Sequence, residues 1–127
     1  MTEVTLEHVN ITVSDPHATA AWLDRIFGWK IRWEGDAKQN GWSLHVGGQN
    51  SYVALYHPGS EATAKTDSYA ARGALNHWAV TVDDLDAVEA RVKAEGFTPK
   101  NHGDYEPGRR FYFHDTDGIE IEVVSYA

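Results

Sequence analysis

Apolar and polar residues alternate near the start of the chain, where Val9, Ile11 and Val13 interleave with His8, Asn10 and Thr12. A period of two predicts a strand with one buried face. Ser14-Asp15-Pro16 follows, a cap side chain and then a proline suited to a first helical turn. Positions 18–27 carry Ala21, Trp22, Ile26 and Phe27 as an apolar stripe at helical spacing, and Gly28 stops the helix. Three short strands are predicted next, over 29–34, 42–46 and 52–57, punctuated by Asn40-Gly41, Gly47-Gly48 and Pro58-Gly59.

The second half repeats this order. Positions 75–82 predict a strand with Trp78, Val80 and Val82 on one face and His77, Ala79 and Thr81 on the other. Asp83 or Asp84 caps a helix reaching about position 95, with Leu85, Val88 and Val92 along one side and Gly96 at its end. Strands are expected over 97–101, 109–114 and 119–125. Asp115-Thr116-Asp117-Gly118 joins the last two as a hairpin turn. The same letters begin a calcium-loop pattern, whose later ligand positions are absent here.

The repetition extends to individual letters. L-x-H-x-x-x-T-V-x-D reads Leu6, His8, Thr12, Val13, Asp15 and again Leu75, His77, Thr81, Val82, Asp84, with His77 following His8 by 69 positions. A chain that repeats at about half its own length is built from two copies of one unit. The expected class is α+β, with βαβββ modules over about 4–58 and 74–126 in one domain spanning 1–127. The segment 59–73, rich in Gly, Ser, Thr, Ala and charge, links them and is long enough to act as a lid.

Composition narrows the partners. A formal charge of −8 argues against a nucleic-acid backbone as ligand. No apolar run approaches the roughly 18 residues of a membrane span, and no secretory leader is read at the N-terminus. The absence of cysteine excludes disulfides and thiolate ligands and fits a cytoplasmic setting. Five Trp and six Tyr suit core and interface packing, with an aromatic ligand pocket as the alternative.

Alternation also places the candidate chemistry. If the apolar sets face the helices, then His8 and His77 point to the opposite sheet faces, as do Glu120 and Glu122 against Ile119, Ile121 and Val123. Two convergent histidines are the start of a metal site. By the same rule Arg110, Tyr112 and His114 oppose Phe111 and Phe113, and His45 opposes Leu44 and Val46. Glu120 is expected as a rim carboxylate in water. His17, His45, His57, His102 and His114 are read first as ordinary polar positions.

The βαβββ–βαβββ order, with L-E-H-V-N-I-T-V, L-N-H-W-A-V-T-V-D-D, F-Y-F-H-D-T-D-G and I-E-I-E-V-V, resembles the vicinal oxygen chelate superfamily across essentially the whole chain. That superfamily holds glyoxalase I, fosfomycin-resistance proteins, extradiol dioxygenases and bleomycin-resistance proteins. The resemblance implies a curved mixed sheet and a divalent metal (Fe, Mn, Zn or Ni) on His8, His77 and Glu122, with positions left open for substrate. A fourth ligand, glutamate in glyoxalase I, falls on Ala54, and His57 faces the wrong way to replace it. The set therefore matches the three-ligand relatives. Tyr112 matches a tyrosine used in substrate contact. Arg110 could hold a carboxylate or phosphonate, with Arg109, Lys65 and Arg72 as further cations, and His45 could shuttle a proton. Tyr52 and Tyr56 flank Ala54. The expected function is metal-dependent enzymology on a small oxygen-bearing substrate, of lyase/isomerase, dioxygenase or fosfomycin-type transferase/hydrolase kind. The alternative is a non-catalytic binder of the bleomycin-resistance type, which acidic charge and aromatic content would suit for a cationic aromatic ligand. A homodimer is expected in either case.

Overall fold

Both helices of the computed structural model, which describes residues 2–63 and 67–127, begin at the aspartates of the repeat. Asp15 accepts a hydrogen bond from the Ala18 amide at 3.1 Å, and Asp84 accepts one from the Ala87 amide at 3.0 Å. Each satisfies an amide that has no partner inside the helix. The elements run β1 (His8–Thr12), α1 (Pro16–Phe27), β2 (Lys30–Asp36), β3 (Trp42–Gly47) and β4 (Tyr52–His57). They continue with β5 (His77–Thr81), α2 (Leu85–Ala94), β6 (Lys100–Tyr105), β7 (Gly108–His114) and β8 (Glu120–Ser125). The α+β class and the paired βαβββ order match the sequence expectation.

The chain divides into two compact units, Met1–Thr63 and Ala64–Ala127. Each holds its own four-stranded mixed sheet, ordered β1-β4-β3-β2 in the first and β5-β8-β7-β6 in the second. In each the opening strand runs parallel to the last one, and the remaining pairs are antiparallel. In the first unit α1 packs on its sheet and buries Leu23 and Ile26, with Leu44, Val46, Val53 and Leu55 buried in the strands. In the second unit Val88 and Val92 of α2 are buried, as are Phe111, Phe113, Ile121 and Val123. Burying each such side chain contributes about 1.5–3 kcal/mol.

Several elements depart from the sequence reading. The buried positions of α1 are Pro16, Thr19, Ala20, Trp22, Leu23 and Ile26, and Ala21 is exposed. The apolar stripe is thus rotated toward Ala20 and Leu23. β6 lies three residues later than expected, because Phe97 stacks on Phe113 at 5.5 Å outside the strand. The strand itself is polar, and its register shifts between Lys100 and Gly103. It belongs to an edge, where main-chain pairing suffices without apolar side chains. A 3-10 turn at Lys38–Asn40 was not expected. Tyr56, read as a residue beside Ala54, gives its hydroxyl proton to the Lys38 carbonyl of that turn at 2.7 Å. Lys65 lies outside the described residues.

The Asp115–Gly118 turn forms as expected. Asp115 accepts the Asp117 and Ile119 amides on its side chain at 2.9 Å each, so this carboxylate organises the backbone. Gly118 closes the turn at φ +75°, a conformation that favours glycine. Among the described residues, no helix is long and apolar enough to cross a membrane.

Phe113 is fully buried, whereas Asp84 acts at a helix end. Phe113→Ala is expected to cost about 3–5 kcal/mol and Asp84→Ala about 1 kcal/mol, read from the denaturant midpoint. A Phe113→Ala loss no larger than that of the cap variant would contradict the described core.

Candidate functional site

The register of the second unit sets six polar side chains on the face away from Phe111, Phe113, Ile121 and Val123. His77 lies opposite Glu120 and Ala79 opposite Glu122 across β5 and β8, while Tyr112 faces Glu122 and His114 faces Glu120 across β7 and β8. Arg110 shares that face by alternation. The two glutamates are nearly sequestered, at 7% and 8% exposure. Glu120 is therefore not the water-facing rim carboxylate that alternation alone suggested. Alternation tells which face a residue occupies, and burial depends on what covers that face.

His77 sits between the two carboxylates. Its Nε2 is 3.1 Å from Glu122 Oε1, and its Nδ1 is 3.6 Å from Glu120 Oε1. The Tyr112 ring meets the imidazole edge-on, with centroids 5.6 Å apart. Arg110 Nη1 donates to Glu122 Oε2 at 3.0 Å, Nη2 donates to the Gly108 carbonyl at 3.3 Å, and the guanidinium lies over the Tyr105 ring. Burial opposes the charged form of Arg110. The negative character of Tyr105 and the Glu122 carboxylate outweigh it and raise the pKa. Burial, followed by the Glu122 charge, raises the Tyr112 pKa and keeps its hydroxyl protonated. Arg110 is thus engaged with Glu122 rather than presented alone to a substrate anion.

Sequence reasoning missed Tyr69. Its hydroxyl donates to Glu120 Oε1 and lies 3.4 Å from His77 Nδ1. Its pKa is pushed up to about 12, chiefly by the hydrogen bond to Glu120, with burial and carboxylate charge adding to it. The one available signal was that Tyr69 is the only aromatic residue of the expected linker. A cavity of about 370 Å³ opens beside it, lined by Asp67, Ser68, Tyr69, Asn76, His114, Gly118 and Glu120. That volume is at the small end of ligand sites.

The first unit gathers a different set. His8 pairs with Tyr52 and Asn10 with Ala54 across β1 and β4, and His45 pairs with Ala54 across β3 and β4. The Tyr52 ring stacks on His8 at 4.8 Å and on His45 at 4.5 Å, with Arg32 over its face and Trp33 against His45. Ala54 is buried on this face where a carboxylate could have been. His8 Nδ1 lies 2.9 Å from Glu7 Oε1, and this hydrogen bond is the largest influence lowering the Glu7 pKa. Burial first, and the His8 charge second, lower the His45 pKa and favour its neutral ring. The expected site residues therefore form two groups: His77, Glu122, Arg110 and Tyr112 in one unit, His8 and His45 in the other.

Donor chemistry in the second unit suits a divalent cation in kind. Imidazole and carboxylate are donor types that such an ion takes, and here His77 Nε2 and Glu122 Oε1 stand at hydrogen-bond distance from each other, 3.1 Å apart. Arg110 engages only the other carboxylate oxygen, leaving Oε1 available for that role. Among the described residues, no group of three or more His, Cys, Asp or Glu side chains is arranged to hold a metal ion. The second unit thus supplies a donor pair.

A family model described as the Glyoxalase/Bleomycin resistance protein/Dioxygenase superfamily matches residues 5–123. The fold is shared by a glyoxylase/bleomycin resistance protein/dioxygenase domain from a Frankia species, at 22% identity and TM-score 0.81 over 98% of this chain and 93% of that one. Leishmania major glyoxalase I, described as trypanothione-dependent, gives 19% identity and TM-score 0.78 over 98% and 88%. A genomically encoded fosfomycin resistance protein from Listeria monocytogenes, in complex with Mn(II) and sulfate, gives 21% and 0.71 over 98% and 93%. No curated protein matches the chain.

Because the His45 pKa is lowered on folding, the unfolded chain takes up this proton more readily. The associated stability is present above the ordinary histidine value of 6.5 and is lost as pH falls through the lower, folded-state value. His45→Phe, which keeps a ring for Tyr52 to stack on, is expected to flatten this part of the pH dependence in metal-free protein. Unfolding midpoints from neutral to mildly acidic pH measure it, and a slope equal to wild type would contradict the assignment.

Proposed function

The chain belongs to the Glyoxalase/Bleomycin resistance protein/Dioxygenase superfamily, and from that premise we propose that it is a divalent-metal-dependent enzyme acting on a small oxygen-bearing substrate. The carrying observation is the close approach of His77 Nε2 and Glu122 Oε1, with Arg110 on the carboxylate's other oxygen. His77 and Glu122 are assigned as metal donors. His8 enters as the third donor from the sequence repeat alone. The Mn(II) complex of the Listeria relative supports the class of ion, and Fe, Mn, Zn and Ni are the candidates.

When bound, such an ion would polarise a substrate oxygen and stabilise negative charge developing there. The chain's own residues supply the rest. Arg110 fixes the rotation of Glu122 and offsets part of its charge. Tyr112 keeps its proton, so it can donate a hydrogen bond to a substrate oxygen. His45 favours its neutral form and is therefore suited to accept a proton. Ala54 removes the second carboxylate of the four-ligand pattern and favours chemistry of the three-ligand kind.

A binding function without catalysis is the second reading. It is favoured by the absence of a three-donor group among the described residues and by the stacked Trp33, His45, Tyr52 and His8 rings. The two readings separate on metal. Wild-type protein reconstituted with Mn(II), Fe(II), Zn(II) or Ni(II) is expected to retain one of these through desalting, and His77→Ala and Glu122→Gln to lose it. Arg110→Met is expected to weaken retention by about 10–100-fold. Elemental analysis decides, and a wild-type chain that takes up none of the four ions leaves the binder.

A further inference from the structure

We propose that the cavity beside Tyr69 is a subsite for a small primary ammonium group, the charged end of an alkylamine or of a larger amine-bearing ligand. The inference stands apart from the metal reading, because it uses neither His77 nor Glu122 as a ligand and is tested on metal-free protein.

The lining of the cavity is one-sided in charge. It includes two carboxylates, Asp67 and Glu120, and among the described residues no lysine or arginine. Its hydrogen-bond capacity leans the same way. The Tyr69 hydroxyl has already given its proton to Glu120 Oε1, and Asn76 Nδ2 donates to the Ser68 carbonyl at 2.6 Å. Asp67 Oδ1 accepts the Tyr69 amide at 3.0 Å. These bonds leave Asn76 Oδ1, Asp67 Oδ2 and Glu120 Oε2 as acceptors on lining residues.

Glu120 gives the cavity its strongest demand. Only 7% of the residue is exposed, yet it lines the cavity. Among the described residues no donor lies within hydrogen-bond distance of its Oε2, and no lysine or arginine pairs with either oxygen. Imidazole nitrogens approach no nearer than 3.6 Å, His114 Nε2 at Oε2 and His77 Nδ1 at Oε1. A carboxylate so nearly out of water gains most from a donor that also carries positive charge. An ammonium supplies that charge and three N–H donors. The aromatic ring of Tyr69 adds a surface that attracts cations. An anion would meet two carboxylates, and a neutral ligand would leave the Glu120 charge uncompensated. The formal charge of −8 further favours the approach of a cation.

The test titrates the full, metal-free chain with n-butylammonium at neutral pH and constant ionic strength, with 1-butanol and butyrate as neutral and anionic probes of similar size. Backbone amide NMR shifts read both place and affinity. n-Butylammonium is expected to saturate, with shifts centred on 67–69, 76 and 114–120, and to bind at least about tenfold more tightly than either other probe. Glu120→Gln, which keeps an acceptor for Tyr69, is expected to lose about tenfold in affinity. Asp67→Asn, at an exposed position, is expected to lose about two- to fivefold. Asp36→Asn, an equal change of charge at an exposed position of the first unit, is expected to bind as wild type does. Equal or tighter binding of 1-butanol or butyrate, shifts centred elsewhere, or wild-type affinity in Glu120→Gln overturns the proposal. If Glu120→Gln does not fold, wild-type affinity in Asp67→Asn overturns it instead. A wild-type chain that binds no probe also overturns it, whatever metal retention shows.

Discussion

Two carboxylates buried side by side on one strand set the terms for the second unit. Glu120 and Glu122 both lie on the β8 face away from the Phe111 and Phe113 core, and both are nearly out of water. Ionised carboxylates are costly to bury unless charges or hydrogen-bond donors surround them. Their neighbours answer that requirement. Arg110 pairs with Glu122, the Tyr69 hydroxyl donates to Glu120, His114 approaches the other Glu120 oxygen, and His77 stands between the two. The same burial that makes these groups mutually dependent makes them usable. In a medium of reduced dielectric a fixed donor or charge acts more strongly than it does in water.

The first unit met the equivalent constraint differently. Its register puts Ala54 where β8 has Glu122, so no carboxylate is buried in that strand and no counter-charge is needed there. Aromatic stacking fills the face, with Tyr52 against His8 and His45 and a guanidinium over its ring. Two copies of one βαβββ plan have therefore diverged in chemistry while keeping their helix-facing sides apolar. Strand alternation permits this, because one face can change without altering the side chains that hold the helix.

The same alternation explains what could be read from the letters. The aspartate caps, the order of elements along the chain, the tight turn at Asp115 and the shared face of His77, Glu120, Glu122, Arg110 and Tyr112 all follow from short-range patterns, and all are present. The boundaries of β6 were illegible because an edge strand needs no apolar pattern. The buried stripe of α1 runs through Ala20 and Leu23 and leaves Ala21 exposed, a phase that adjacent small apolar residues do not specify by pattern alone. Tyr69 could not be found from periodicity at all. It reaches Glu120 across 51 positions from a segment with no repeating pattern. The burial of Glu120 was equally hidden, since a period of two specifies a face and says nothing of depth.

The Arg110–Glu122 pair bears on which cation such a site would prefer. A carboxylate has about four lone-pair directions, and Arg110 takes one at Oε2 while Oε1 stays turned to His77. A cation at Oε1 therefore does not have to displace the guanidinium. It does meet a carboxylate whose charge is already partly balanced, in a face that also holds two imidazoles. Hard cations such as calcium draw their affinity from uncompensated oxygen charge and from a large number of oxygen ligands. Imidazole donors instead favour first-row transition ions. In a site of the proposed kind, neutralising Glu122 would thus weaken the oxygen side more than the nitrogen side and tilt the preference toward an ion that values His77.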